Sequence, residues 1–254
     1  MISKFSLEHK TAIVTGGAKG LCYSMAEALH EAGAVVVLVD VLDLVEESAA
    51  RLGACGAPVY AVKADLSDTA RLREACGESV ALLGGRVDIL LNGAGIQYRC
   101  PAEDFPEDRW RRILDINLSA VFFMSQEIGK QMLKQGSGKI INVASMTSFM
   151  ASVMIPAYAA SKAGVAQITK ALSNEWAGKG ICVNAIAPGY MNTELTRDMK
   201  LVNPTQYEEI SGRIPMGRWG EPEDLKGVVV FLASEASDYI SGIVVPVDGG
   251  YLGK

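Results

Sequence analysis

The stretch AYAASKAG, residues 157–164, sets one phenol and one ammonium four residues apart, Tyr158 and Lys162, among Ala, Ser and Gly. Residues i and i+4 share a helix face, so both side chains can enter one cavity. The chemistry open to such a pair is proton transfer. A free phenol titrates near ~10, too high for a base at neutral pH, and a nearby ammonium favours the phenolate. A third group, the Ser145 hydroxyl, stands thirteen residues before the tyrosine. Spacing alone suits a surface lysine beside a packing tyrosine equally well. The elements that carry these residues decide between the two.

Short β-branched runs alternate with helical patterns along the chain. Strands are expected at 11–15, 34–40, 59–65, 87–92, 139–145, 182–188 and 243–248. Several are nearly continuous apolar runs, the pattern of parallel strands buried on both faces. Helical stretches lie between them, such as LCYSMAEALHEAG, closing at Gly33, and residues 157–178. Strands separated by helices imply right-handed βαβ units. The expected fold is therefore α/β, a single-domain doubly wound parallel sheet of about seven strands over 1–254, with helices on both faces. Ligands of such sheets lie beyond the carboxyl ends of the strands, at the switch point.

Those strand ends are where the chemistry gathers. Strand one ends in TGGAKGLC, where Gly16, Gly17 and Gly20 allow a tight turn and close approach of backbone amides to a pyrophosphate. Strand two ends in Asp40, twenty residues after Gly20, suited to accept hydrogen bonds from an adenosine ribose. The same residue suits a helix N-cap before LDLVEESAARLG. Strand three ends in ADLSD, offering Asp65 to an adenine edge. Strand four ends in LNGAG, where Gly93, Ala94 and Gly95 let a ribose lie against bare backbone. Strand five ends at Ser145, just ahead of the Tyr-x-x-x-Lys helix, and strand six at APGYMNT.

Composition narrows the alternatives. A net charge of −5 disfavours a nucleic-acid partner, and the basic cluster RWRR at 109–112 reads as a solvated helix face. The start MISKFSLEHK has no apolar signal region, and no apolar run approaches the ~20 residues of a membrane span. A soluble, cytoplasmic protein is expected, with no membrane partner. The five cysteines lack CxxC spacing and read as reduced thiols. The only histidines, His9 and His30, are expected to be exposed, leaving almost nothing from which to build a metal site.

The signatures TGGAKG, Asp65, NGAG, Asn117 in DINLSAVFF, Ser145, YAASK, PGYMNT and VDGGY occur together and in order over nearly the whole chain. In this the sequence resembles the short-chain dehydrogenase/reductase family, whose fold is Rossmann-type. The resemblance implies that Tyr158 is the acid/base, Lys162 its partner, Ser145 the anchor of the substrate hydroxyl and Asn117 the holder of a relay water. It implies a nicotinamide dinucleotide as cofactor, with Gly16, Lys19, Gly20, Leu21, Asp40, Asp65 and Leu66 among the residues that bind it. Lys19 could meet the extra phosphate of NADP, but the Asp40 carboxylate aimed at the ribose is the shorter-range effect, so NAD is expected. Asn92, Ala94, Tyr158, Lys162, Pro188, Gly189 and Thr193 then fall toward the nicotinamide half, with Ile186 or Pro188 packing on the ring. Candidate substrate contacts are Gln97, Arg99, Ser145, Thr147 and Tyr190. Relatives are commonly tetramers through helices around 117–135 and 157–178, which implies a homotetramer here.

Two positions depart from the family pattern. Cys22 replaces the third loop glycine, predicting a slight displacement of the first helix from the sheet, and Gly93 replaces the second Asn of NNAG. Within the family, VFFMSQ, KIINVASMTSF, NEWA, GIQYR and IPMGRWGEPEDL are similar to the sugar-acid dehydrogenases of gluconate and 2-dehydro-3-deoxygluconate type. Arg99 could then pair with a substrate carboxylate, and Trp219 reads as packing. A 3-oxoacyl thioester reductase using NADPH would employ the same residues, but Asp40 and the acidic net charge disfavour it. A non-catalytic dinucleotide-sensing regulator is disfavoured because Asn117, Ser145, Tyr158 and Lys162 are all present.

Overall fold

The computed structural model describes residues 3–193 and 203–254. Seven strands, β1 (Thr11–Thr15), β2 (Val35–Asp40), β3 (Val59–Lys63), β4 (Ile89–Asn92), β5 (Gly138–Val143), β6 (Ile181–Pro188) and β7 (Val244–Val247), form one sheet in the order β3-β2-β1-β4-β5-β6-β7. Every pairing is parallel. Each expected strand is present, trimmed or extended by at most two residues, so Asp65 and Ser145 stand in the loops just beyond β3 and β5. The strand order reverses between β1 and β4, which opens the crevice that such sheets use for ligands.

The apolar runs are explained by burial on both faces. In β1, Ala12 and Val14 pack under α1 (Gly20–Glu31) and α8 (Lys226–Ala233), while Ile13 between them joins the opposite layer. That layer is built from α3 (Thr69–Leu82), α5 (Ala120–Gln135) and α6 (Pro156–Trp176), contributing Leu72, Met124, Ile128 and Leu172. Pro156 opens α6 in its first turn, where its missing N–H costs nothing. A buried file of polar groups crosses this second layer. Asn92 of β4 donates to Ser125 Oγ and to Asn142 Oδ1 of β5, both at 2.9 Å, and Asn142 donates to Thr169 Oγ1 at 2.9 Å. Asn92 and Asn142 are direct register partners.

Two surface expectations need correcting. His30 is buried rather than exposed, because the last turn of α1 lies under the loop before β3, and its Nε2 sits 2.8 Å from Ala57 O. Arg112, in α4 (Glu107–Leu114), is not merely solvated, since its guanidinium reaches Asp65 Oδ2 at 2.8 Å. His9 is exposed, as expected. Among the described residues no helix is long and apolar enough to cross a membrane, no cluster of His, Cys, Asp and Glu could hold a metal ion, and the five cysteines are free.

Candidate active site

The turn after β1 is held in place by a hydroxyl. Thr15 Oγ1 accepts from Gly93 N at 3.0 Å and Ala94 N at 3.2 Å, binding the loop after β4 to the glycine-rich loop. Gly16 has φ +72°, and a Cβ there would meet the Ala94 backbone at 2.9 Å. Thr15 escaped the sequence reading, although its place directly before Gly16 at a strand end was visible. Helix α1 starts at Gly20, with Lys19 extended at the N-cap, no side-chain cap and no acid in the first turn. Its first amides are therefore open to an anion, and the dipole favours one.

Along the adenosine side, Asp40 accepts from Ala18 N at 3.0 Å and from Leu42 N at 3.1 Å, which fixes its carboxylate between two loops. The N-cap of α2 (Leu44–Leu52) is Asp43, so Asp40 caps no helix. Asp65 accepts from Ser67 N and Oγ and from Arg112. Burial pushes its carboxyl up, but the hydrogen bonds from Arg112 and Ser67 outweigh this and hold it below the usual range. Leu66 is buried behind it.

Toward the centre of the sheet the backbone is bare. A Cβ on Gly95 would lie 3.4 Å from Asn117 Oδ1 and 3.7 Å from Lys162 Nζ, and one on Gly189 would meet the Asp248 backbone at 2.7 Å. Pro188 and Ile186 are buried beside this strip, and Thr193 is half-buried at the end of the described segment. Open helix amides, an acid at the end of β2 and an uncluttered edge fit an extended dinucleotide. Asn92, by contrast, spends its amide nitrogen within the fold, and its Oδ1 has no partner.

Ser145, Tyr158, Lys162 and Asn117 gather at this strip. Ser145 is buried, and its Oγ accepts from Thr147 N at 3.1 Å. Ser148 Oγ donates to the Lys162 carbonyl at 2.6 Å and so fastens this turn to α6. Asn117 lies fully buried in a π-helical turn, Asp115–Ser119. Its Oδ1 accepts from Ile96 N at 2.8 Å and its Nδ2 donates to Ile96 O at 2.9 Å, which fixes the loop after Gly95. Lys162 is 3% exposed, donates from Nζ to Val143 O at 2.6 Å and stands 5.8 Å from the Tyr158 ring centroid.

In the polypeptide alone, the electrostatics favour the neutral phenol. Burial raises the Tyr158 phenol above its ordinary value, and the Ser145 hydroxyl only opposes the rise. Lys162 does not lower it, because the ammonium is turned to the β5 carbonyl and burial itself draws Lys162 down to about 8. Cys22 provides no countercharge, since burial pushes its thiol up to about 12 and keeps it neutral. The protein alone thus assembles the proton-transfer pair without ionising the phenol.

On the open side of the site, Gln97 and Arg99 are exposed, and Cys100 N donates to Met154 O at 2.9 Å, tying their loop to the one after Ser145. Thr147 is buried, and its Oγ1 has no partner. Tyr190 is half-buried between Trp219 and Tyr251, with centroids 5.1 and 5.5 Å away. Trp219 is a packing residue, 1% exposed, stacked on Tyr207 and donating from Nε1 to Ser211 Oγ at 3.0 Å.

The two departures from the family pattern are one feature. A Cβ built on Gly93 would overlap the Cys22 sulfur. The thiol fills the space that a side chain at position 93 would need, so volume is exchanged between α1 and the β4 loop.

Fold and site together define a dinucleotide-binding protein equipped for proton transfer. The profile of a family described as enoyl-(acyl carrier protein) reductase matches residues 16–252. The 2-dehydro-3-deoxy-D-gluconate 5-dehydrogenases of Dickeya dadantii and Bacillus subtilis are 44% and 43% identical, covering 100% and 98% of this chain and 100% and 97% of their own. A gluconate 5-dehydrogenase from Burkholderia cenocepacia, crystallised with NADP and tartrate, superposes with a TM-score of 0.93 at 38% identity, covering 99% of this chain and 98% of its own. The chain belongs to the short-chain dehydrogenase/reductase family, and it is an oxidoreductase that uses a nicotinamide dinucleotide.

The volume swap predicts a coupled pair. Cys22→Gly should destabilise by about 1–3 kcal/mol, through helix propensity and the cavity left behind. Gly93→Asn alone should destabilise through the clash, while the double variant recovers most of the loss. Urea unfolding of the four proteins measures the coupling, and strict additivity would make the two positions independent. Lys162 predicts a pH dependence. Its folded pKa lies below the unfolded value, so the unfolded chain binds more protons between about 8 and 10.5. Stability relative to Lys162→Met should therefore rise by about 2 kcal/mol from about pH 6.5 to about pH 9.5. A pH-independent difference in unfolding free energy would contradict the depressed lysine.

Proposed function

We propose that the protein is an NAD-dependent dehydrogenase/reductase, one dinucleotide-binding domain over 1–254. It moves a hydride between NAD and a secondary alcohol or ketone of a sugar acid, of gluconate or 2-dehydro-3-deoxygluconate type. The observation that carries this reading is the convergence of Ser145, Tyr158, Lys162 and Asn117 on the bare backbone beside Gly95. The named activities of the relatives, and the hydroxy acid bound to the Burkholderia enzyme, support the substrate class.

When bound, oxidised nicotinamide supplies the hydride acceptor and a positive charge that favours the phenolate. The Ser145 hydroxyl orients the substrate oxygen. Tyr158 takes the alcohol proton at its phenolic oxygen, or returns it in reduction. With the cofactor bound, Lys162 would hold its ribose and place positive charge behind the phenol, and Asn117 would hold the water through which the proton leaves. At the rim, Arg99 faces the substrate carboxylate.

For cofactor choice, the Asp40 carboxylate is pinned by two amides where an extra ribose phosphate would sit. Repulsion there favours NAD, although the Burkholderia relative binds NADP. The assembly is proposed to be a homotetramer through α5 and α6. Phe149 and Ile243, 53% and 46% exposed, flank a shallow groove along α6 with Gly164 and Gln167, which supports that surface being covered. Free thiols support a cytoplasmic location, and the acidic net charge supports a small-molecule substrate over a nucleic acid.

Tyr158→Phe should abolish oxidation of gluconate-type acids while leaving NAD binding, read by calorimetry, nearly unchanged. Lys162→Ala should damage both. Near wild-type kcat in Tyr158→Phe would overturn the mechanism, and a natural protein inactive on every aldonate and ketogluconate would overturn the substrate class. Comparison of kcat/KM should favour NAD over NADP, with Asp40→Ala narrowing the gap. Equal values for the natural protein would reject the role of Asp40.

A further inference from the structure

Beyond the residues that perform the transfer, the C-terminal segment brings an unexplained group to the site. Tyr251 is 8% exposed, yet its hydroxyl makes no hydrogen bond of good geometry, though the neighbouring Tyr190 phenol acts on it. A buried phenol left unsatisfied costs free energy unless something outside the fold completes it. Its surroundings are built rather than incidental. Gly249 and Gly250 have positive φ, and a Cβ on either would run into Ile214 or Pro215, so the approach to Tyr251 is closely packed. The ring meets Tyr190 edge-on at 5.5 Å, and the Arg213 guanidinium lies 5.1 Å from its centroid.

This cluster borders the proton-transfer groups on their open side. Met146, the residue after Ser145, packs in one apolar group with Tyr251, Trp219, Ile210 and Ile214, and Tyr190 lies against it. Thr147, next along, presents the second buried hydroxyl without a partner on this side. Arg213 closes α7 (Pro204–Arg213), and Arg99 comes from the loop after β4. Both guanidiniums act on the Tyr190 phenol, opposing the rise caused by burial and by Tyr251. Neither has a carboxylate partner among the described residues. Two cations without a carboxylate partner and the buried Tyr251 phenol therefore act on one half-buried tyrosine.

We propose that Arg213 and Tyr251, with Arg99 from the loop after β4, form the subsite for the carboxylate end of a polyhydroxy acid substrate. Arg213 supplies charge, the Tyr251 hydroxyl donates to the carboxylate or its neighbouring hydroxyl, and Tyr190 forms the floor between them. The inference rests on the sugar-acid reading, but it assigns specificity to residues from the C-terminal third of the chain.

Steady-state kinetics with D-gluconate and with the neutral polyol D-glucitol test it. Arg213→Gln should raise KM for gluconate roughly ten- to hundredfold with a much smaller change in kcat, collapsing the preference for the acid over the polyol. Arg213→Lys should recover part of the loss. Tyr251→Phe keeps the ring packing and removes only the buried oxygen, so it should raise the gluconate KM several-fold without lowering the melting temperature of the free protein. An unchanged KM in both Arg213→Gln and Tyr251→Phe, in a protein that does oxidise gluconate, would overturn the subsite alone. A higher melting temperature in Tyr251→Phe with unaltered kinetics would also overturn it, marking the hydroxyl as a packing defect. If the natural protein turns over D-glucitol but no sugar acid, the substrate reading fails and this subsite fails with it.

Discussion

An ammonium buried to 3% exposure is the constraint around which the site is arranged. Taking that charge out of water is costly, and a lone carbonyl, Val143 O, answers it directly. The surroundings reflect that cost. Gly95 keeps side chains out of the space beside Nζ, and Ser148 ties the Lys162 carbonyl to the turn that carries Ser145. The neutral Cys22 thiol adds no negative charge. Burial draws such a cation down to about 8, so it holds its proton less firmly than a solvated lysine.

The other half of the pair is equally unfinished. Tyr158 sits where burial favours the neutral phenol. Positions are thus fixed by packing and hydrogen bonds, while ionisation waits for charge that the polypeptide does not hold. Such a division fits an enzyme that must handle a proton and a hydride in one ternary complex, since a phenolate formed early would have no alcohol to deprotonate.

The sheet was legible in the sequence because seven apolar runs of strand length alternate with helical stretches, and the rule that ligands bind at carboxyl strand ends located the glycine-rich turn, Asp40, Ser145 and the α6 pair. What stayed hidden depended on contacts between distant segments. Cys22 and Gly93 looked like two separate losses, and only the overlap between the sulfur and the missing Cβ makes them one exchange. Arg112 looked solvated because its partner, Asp65, lies 47 residues away. His30 looked exposed because its cover comes from the loop before β3. The burial of the Tyr158 phenol in the free protein was hidden for a different reason: spacing predicts proximity to Lys162, but it does not predict how deeply the ring lies.

The polar file through Ser125, Asn92, Asn142 and Thr169 acts as a key for strand alignment. Apolar side chains tolerate sliding, because one valine replaces another at little cost, whereas a parallel pair slipped by one residue would turn these amides to the other layer and strand them unpaired. Asn92 immediately precedes the glycine loop, and Asn142 immediately precedes the carbonyl that holds Lys162. Alignment of β4 with β5 therefore sets the level at which the cofactor strip and the ammonium meet. In an assembly of interchangeable aliphatic strands, two asparagines ensure that the sheet closes with its working parts at the same height.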